Sequence, residues 1–156
     1  MTTPGPRCTH AGWFGLLLLA FALASCSDTV VQAWPQGTRR FEGSGSPGNE
    51  EGEWTYRYED GRIRAQGEYS NGHKEGVWTE WHPIGQIASR GERVLCTETG
   101  ADEREGPWTF WNESGVKHAQ GAYLCGLRQG PWTFWKGTGD LNPVKTGEYE
   151  GGVKVR

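Results

Sequence analysis

Several features that mark common protein functions are missing from this chain of 156 residues. It has no phosphate-binding glycine loop, no Cys-x-x-Cys redox motif and no serine, histidine and acid set that suggests nucleophilic catalysis. Lysine and arginine number 16 against 19 aspartates and glutamates, without a basic stripe or an arginine cluster. Because nucleic-acid binding needs such a cluster to neutralise phosphates, the composition argues against a nucleic-acid partner.

Metal-binding patterns are missing as well. His73, His82 and His118 stand apart from one another, and none has a second histidine or a carboxylate at a ligand spacing. Zinc sites need several such side chains to converge on one point. The sequence therefore predicts neither a bound metal nor a cofactor.

Long apolar runs are limited to the beginning of the chain. An apolar stretch extends from Trp13 to Leu23 and is followed by the small residues Ala24-Ser25 and then by Cys26. This stretch is too short to cross a bilayer as a permanent helix, and the small residues match a cleavage site. Residues 1–25 are therefore predicted to be a signal peptide.

The end of this stretch, Leu23-Ala24-Ser25-Cys26, resembles the bacterial lipobox. The resemblance implies that Cys26 becomes the lipid-bearing first residue and that residues 26–37 form a lipidated tether to a membrane. It places the protein in a bacterial cell envelope, and Ser27 is compatible with the outer membrane, facing the periplasm or the surface. The alternative is an ordinary secreted protein in which Cys26 has no special role.

A repeated motif dominates the remainder of the chain. Glycine, any residue, tryptophan and threonine occur in this order around Trp54, Trp78, Trp108 and Trp132. These tryptophans are 24, 30 and 24 residues apart. One unit of about this length is therefore stacked along the chain, with an insertion after the second copy.

Turn signals divide each unit into two strands. In the first unit Asp60-Gly61 and Asn71-Gly72 are typical of two-residue hairpin turns, whose central positions need positive φ angles. Antiparallel pairing around such turns sets a small residue opposite each large ring, so that a ring can lie across a bare glycine. The predicted partners are Trp54 with Gly67, Tyr69 with Gly52, Ala65 with both Tyr56 and Trp78, Trp108 with Gly121, Tyr123 with Gly106, and Ala119 with both Phe110 and Trp132.

The recurrence of Gly-x-Trp, a turn glycine, Gly-x-Tyr and Asn-Gly resembles MORN-type repeat proteins, in particular the bacterial variant repeats often labelled antitoxin-like. The resemblance implies an all-β fold, an elongated single-layer antiparallel β-meander of about four two-stranded repeats in residues 38–156, used as a binding scaffold. The chain departs from the pattern where Arg93 replaces the tyrosine and where the second unit is lengthened.

A second row of aromatic side chains follows the motif tryptophans. Trp81, Trp111 and Trp135 each come three residues after one of them, so a regular strand points them to the opposite face. Stacked rings there predict a binding surface for a protein or a glycan. The alternative is that these rings cover the second face of a thin sheet, or that a bulge turns them into the same core.

Cys96 and Cys125 are predicted to form a disulfide, because they remain as a pair in an oxidising compartment. In repeat register both fall in turns at the same edge of the sheet. Equivalent turns two strands apart should be about 9–10 Å distant, beyond the limit of about 7 Å between bridged α-carbons. The insertion that follows Cys96 is expected to let the chain bend toward the next turn.

An acid recurs just before the motif in three units, as Glu51, Glu75 and Glu105. Paired carboxylates can cleave glycosides when a cleft holds them across the substrate, but no pattern here builds such a cleft. Repeated acids also protect sheet edges from aggregation. The latter interpretation is favoured, and the chain is predicted not to be an enzyme.

The functional hypothesis is a non-enzymatic, lipid-anchored envelope binding module or scaffold that recognises a protein or a glycan on its aromatic sheet face. Repeated strands offer a long surface of equivalent rows and lack the concave pocket of enzymes. A purely structural spacer or assembly lipoprotein acting through its edge strands is the second hypothesis. An envelope hydrolase is the third, and it would require a cleft.

Overall fold

The computed structural model describes residues 29–156, which form one open antiparallel sheet of 11 strands in meander order. Every strand pairs with its neighbours in sequence, which confirms the predicted all-β, single-layer meander. Within the described residues, no helix has the length and apolar character needed to cross a membrane. The predicted signal peptide and the lipidation site at Cys26 lie outside the described residues.

The strands lengthen toward the middle of the sheet and shorten at its end. They are β1 Thr29–Ala33, β2 Arg39–Ser46, β3 Asn49–Arg57, β4 Ile63–Ser70, β5 His73–Trp81, β6 Ile87–Cys96, β7 Ala101–Trp111, β8 Lys117–Leu124, β9 Leu127–Phe134, β10 Gly147–Glu150 and β11 Val153–Lys154.

The sheet begins earlier than residue 38, inside the segment predicted as a tether. β1 pairs with β2, and Trp34 opens the connecting turn by donating its backbone N–H to the carbonyl of Thr38. Tyr58 makes the equivalent bond to the carbonyl of Arg62 one unit later. Proline disfavours regular structure, but Pro35 lies in this turn and leaves β1 intact.

Each motif tryptophan lies flat on a glycine of the preceding strand. A Cβ built on Gly67 would come within 2.3 Å of the Trp78 ring, and one on Gly121 within 2.2 Å of the Trp132 ring. Gly43 and Gly91 relate in the same way to Trp54 and Trp108. The four tryptophans are between 0 and 3% exposed, so these glycines make room for the core of the sheet.

A backbone bulge at each Gly-x-Trp motif places the ring there. Gln66 pairs with Thr79 and Glu68 pairs with Glu75, so Gly67 alone faces residues 76–78. Gly76 has a φ of 68°, in the left-handed region that glycine tolerates and that bulges of this kind require. The same positive φ is found at Gly52, Gly106 and Gly130.

These bulges correct part of the predicted register. Trp54 pairs with Gly67 and Trp108 pairs with Gly121 along the backbone, as predicted. The expectation that their rings lie across these glycines is wrong, because the rings lie on Gly43 and Gly91 instead. Beyond the bulge, however, Ala65 faces Glu80 instead of Trp78. In the fourth unit Ala119 likewise faces Phe134 instead of Trp132, because the bulge shifts every later pair along the strand.

The predicted turns are half correct. Asn71 and Gly72 have φ angles of 52° and 79° and form a two-residue turn between β4 and β5. Asp60-Gly61 instead lies in a longer connection, residues 58–62. Its ends are joined by the bond from Tyr58 to Arg62, and the Gly61 N–H donates to the Tyr58 carbonyl.

The insertion in the second unit lengthens the β6–β7 hairpin. Leu95 pairs with Asp102 and Cys96 with Ala101, which adds two rungs beyond the usual turn position. Cys96 is joined to Cys125 by a disulfide, with their α-carbons 5.5 Å apart. The distance is shorter than expected because the β8–β9 turn lies over β7, where the Gly126 N–H donates to the Arg104 carbonyl.

Candidate functional site

One face of the sheet carries an aromatic layer that is divided into two clusters. Neighbouring ring centroids within a cluster are 4.9 to 6.4 Å apart. In residues 29–156, no such contact connects Trp78 of the first cluster to Trp108 of the second. The first cluster consists of Phe41, Trp54, Tyr56, Tyr69 and Trp78, and the second of Trp108, Phe110, Tyr123, Trp132, Phe134 and Tyr149.

Three polar residues of the second unit cause this division. Glu80 stands at the repeat position of Tyr56, Phe110 and Phe134, Ser89 at that of Ala65 and Ala119, and Arg93 at that of Tyr69, Tyr123 and Tyr149.

The three side chains bind one another, and we call them the polar break. Ser89 is 3% exposed and donates from its hydroxyl to Glu80 Oε2 at 2.8 Å. Arg93 lies 3.5 Å from Glu80 Oε1 and also donates to the carbonyl of Asp102. Arg93 Nε is buried without a hydrogen-bond partner among the described residues.

In the second, third and fourth units a cation stands four residues before the motif tryptophan, and the break changes what this cation can contact. Arg104 lies over three rings of the second cluster, with centroids 4.8 to 5.5 Å from Cζ, and Arg128 does the same in the fourth unit. Lys74 is the equivalent residue of the second unit, and its Nζ lies 4.5 Å from the Trp78 ring alone. Glu80 and Arg93 stand where the two further rings would lie, and Arg93 Cζ is 5.6 Å from the centroid of the Trp108 ring.

A groove with a volume of about 460 Å³ lies beside Glu80. Binding sites for small molecules commonly measure about 300–1,000 Å³. Aromatic side chains and both signs of charge line it, which suits a ligand that has ring surface and polar groups. The lining includes Tyr56, Tyr58 and Trp81, the charged groups of Arg64, Lys74 and Glu80, and His82.

The groove has an excess of positive charge. Glu80 is already engaged by Ser89 and Arg93, whereas the salt bridges of the described residues include neither Arg64 nor Lys74. Burial lowers the pKa of Lys74 below its usual value, because removal from water disfavours its charged form. A bound anion would supply the partner that this ammonium group lacks.

Tyr58 is fixed as a neutral hydrogen-bonding wall of the groove. Burial raises the pKa of its phenol. The hydroxyl donates to the carbonyl of Trp81 at 2.6 Å, which ties the first unit to the second. A similar tie follows in the next unit, where His82 Nε2 donates to the carbonyl of Trp111 at 2.9 Å.

The rings of the predicted aromatic row stand apart from one another in the described residues. Trp81, Trp111 and Trp135 are all partly buried, and none has a ring partner among the described residues. Only Trp81 borders the groove. Arg57, at this position in the first unit, instead pairs with Glu42 at 3.0 Å and lowers the pKa of that carboxyl.

The recurring acids cap turns. Glu51 accepts a hydrogen bond from the Asn71 N–H, and Glu105 accepts one from the Cys125 N–H, both at 2.9 Å. Glu51 and Glu105 therefore each hold the turn at the end of the next strand, whereas Glu75 accepts no hydrogen bond among the described residues. No two of these carboxylates form a catalytic pair across the groove, whose one acidic side chain is Glu80.

Sequence reasoning missed the polar break and the lysine of the groove beside it. Arg93 was noticed only as a departure from the repeat tyrosine, and Glu80, Ser89 and Lys74 were not singled out. The usable signal is repeat register, because a glutamate stands at position 80 where the other units have tyrosine or phenylalanine. No family model matches the chain, and no curated protein matches it significantly.

Proposed function

We propose that this protein is a non-enzymatic binding module and that the groove at the polar break is its binding site. One observation carries the proposal: the aromatic layer is continuous through the first unit and through the last two, and only the second unit opens it. A buried polar group costs free energy unless its hydrogen bonds are complete. Arg93 Nε lacks a hydrogen-bond partner among the described residues, but so does Arg104 Nε in the intact second cluster, so the proposal rests on the interruption of the aromatic layer.

The lack of a free carboxylate or histidine at the groove, among the described residues, supports a binding role over an enzymatic one. Its one carboxylate, Glu80, accepts hydrogen bonds from two neighbours. His82 is also engaged, through Nε2. General acid–base catalysis needs a group within reach of the substrate whose proton is free to move, and both of these side chains already have hydrogen-bond partners.

The proposal includes membership of the MORN-type repeats and attachment to a bacterial envelope through lipid on Cys26. Support for the first comes from a repeated Gly-x-Trp unit in which a left-handed glycine creates the bulge that seats the tryptophan. Support for the second is the lipobox-like Leu23-Ala24-Ser25-Cys26 after an apolar run. The partner is then an envelope protein or glycan.

A groove-filled variant tests the binding role. Glu80→Phe, Ser89→Ala and Arg93→Tyr together give the second unit the residues found at the same positions of the third. Affinity capture from detergent-solubilised envelopes should lose the partner with this variant and retain it with a Trp111→Ala/Trp135→Ala control. If the filled variant captures the same partner as the wild type and the control loses it, the site is the second aromatic row.

A structural spacer is the alternative function, and one observation favours it. Among the described residues the sheet is open, so β1 and β11 each have one neighbouring strand there. Unpaired strand edges can join another chain by strand addition. In that case both the groove-filled variant and the tryptophan control keep the partner, which separates joining by edges from binding by either side-chain site.

A further inference from the structure

The two cations of the groove are available to a ligand. Lys74 Nζ contacts a tryptophan ring, and Arg64 Cζ lies 5.7 Å from the centroid of the Tyr56 ring. Neither takes part in a salt bridge of the described residues. An anionic group can therefore bind both without displacing an existing carboxylate. Hydrogen bonds between charged partners are about twice as strong as neutral ones.

The backbone around the groove offers nothing to an extended peptide. The strands beneath it, β3 to β6, are each paired on both sides. A peptide that binds by strand addition needs a free edge, and this groove lies on the sheet face away from both edges. Recognition must come from side chains, which favours a compact ligand over a polypeptide strand.

The side chains present suit a ring with hydroxyl groups. Tyr56, Tyr58 and Trp81 provide aromatic surface, and phenols can donate or accept hydrogen bonds. The Tyr56 hydroxyl lies 2.9 Å from that of Tyr69, which fixes its position. A volume of about 460 Å³ accommodates one or a few rings of this kind.

Building on the binding role proposed above, we propose that the groove binds an anionic sugar residue of an envelope polysaccharide. Its carboxylate or phosphate lies between Arg64 and Lys74, and its ring packs against the tyrosines and Trp81. Both acidic groups present the same chemistry to the two cations, so the source of the charge is decided by experiment.

Calorimetric titration of the full mature protein in detergent tests the ligand class. The probes are an oligomer of galacturonic acid, its methyl ester, a hexose phosphate and a glutamate-rich peptide. The acid oligomer or the hexose phosphate should bind, whichever carries the natural type of charge. The neutral ester should bind at least about tenfold more weakly than the acid, as expected when a charge-assisted hydrogen bond is lost. Equal binding of ester and acid, or tighter binding of the peptide, would overturn the proposal.

Matched variants then locate the site. Lys74→Met keeps an apolar side chain over Trp78 and removes the charge, and Arg64→Gln removes the second cation. Each should weaken binding by about tenfold or more. Arg128→Met is the control, because Arg128 holds the same repeat position over Trp132 but does not line the groove. The proposal is wrong if the control weakens binding as much as Lys74→Met does.

The result also separates this inference from the proposed function. If no anionic sugar binds, yet the groove-filled variant still loses its envelope partner, the ligand class is wrong and the binding role stands. If the filled variant keeps that partner, the binding role itself fails. Melting temperatures of all variants, measured in parallel, identify any loss that comes from unfolding.

Discussion

Each buried tryptophan of this sheet depends on a glycine in the strand before it. The glycines at positions 67, 91 and 121 have no left-handed backbone requirement, so steric room is the reason for their presence. The indole N–H reaches the same strand, where for example Trp132 Nε1 donates to the carbonyl of Ala122 at 2.9 Å. Ring and backbone therefore form one unit that tolerates no side chain at the glycine.

The Gly121→Val variant should reveal this requirement. The new side chain would overlap the Trp132 ring, and such overpacking costs about 1–3 kcal/mol of folding free energy. Gly137→Val is the matched control, because nothing lies within 4 Å of its Cβ position and its φ is ordinary. Chemical denaturation measures both. Equal stability of the two variants would mean that the ring does not lie on Gly121.

The acid before each motif should matter only where it caps a turn. Glu105→Ala removes the acceptor of the Cys125 N–H and should reduce the free energy of unfolding by about 1–2 kcal/mol. Glu75 has the same repeat position but is exposed and accepts no hydrogen bond in the described structure. Glu75→Ala should therefore be nearly neutral in the same denaturation experiment. A larger effect at Glu75 than at Glu105 would contradict the capping role.

At the scale of elements, the long β6–β7 hairpin is held from both sides. Asp102 binds the His73 ring at 2.9 Å and the Lys74 N–H at 3.1 Å. On the other side Cys96 is bridged to Cys125. The insertion therefore clamps three hairpins together next to the groove, where the aromatic layer is interrupted.

Loss of the disulfide should loosen this clamp. A bridge across a sequence separation of 29 residues is expected to stabilise the fold by about 2–4 kcal/mol. Thermal unfolding with and without a reducing agent measures the difference. The double variant Cys96→Ala/Cys125→Ala is the control and should not respond to the reducing agent. Alkylation of both cysteines in the native, unreduced protein would show that no bridge exists.

The strand pattern was predictable from the sequence, whereas the register beyond each bulge was not. Asn71-Gly72 marks a turn because both central positions need positive φ. Counting residues outward from that turn along both strands correctly pairs Tyr69 with Lys74. The same counting fails at Gly76, because a glycine in a strand can either leave room for a ring or form a left-handed bulge. Composition does not distinguish these two roles. The bulge at Gly76 changes the partner of Ala65 from Trp78 to Glu80.

The candidate site was harder to predict because it arises from a break in a pattern. Trp81 was identified from its aromatic character, and it does border the groove. Lys74, however, contacts one ring where Arg104 and Arg128 each contact three. Such a difference between units becomes visible only once the register is known. Repeat units should therefore be compared position by position after the bulges are assigned.

At the scale of the whole molecule, each strand contacts chiefly its neighbours, as in other repeat arrays. Stability is then close to a sum over adjacent units, and a weak unit can be retained when the others are well packed. In this sheet the second unit, between two aromatic clusters, is the one that lacks ring contacts, and we expect it to be the weak one.

The proposed envelope location of the whole molecule depends on Cys26. Replacement by alanine should release the protein from membranes and abolish incorporation of labelled fatty acid, because the remaining chain would have no acyl anchor. Fractionation of cells that express wild type and Cys26→Ala measures this. Cys96→Ala/Cys125→Ala serves as a control that should stay with the membrane. An unchanged distribution of Cys26→Ala would remove the basis for an envelope lipoprotein.

We propose that the polar break makes the sheet less stable and that its three residues are present because they serve binding. The most direct measurement is the free energy of unfolding of the groove-filled variant, Glu80→Phe/Ser89→Ala/Arg93→Tyr, against the wild type. Two new sets of aromatic contacts, each worth about 0.5–1.5 kcal/mol, should make the filled variant more stable by about 1–3 kcal/mol. A filled variant that is less stable than the wild type would show that the three polar residues serve the fold, and would contradict the account.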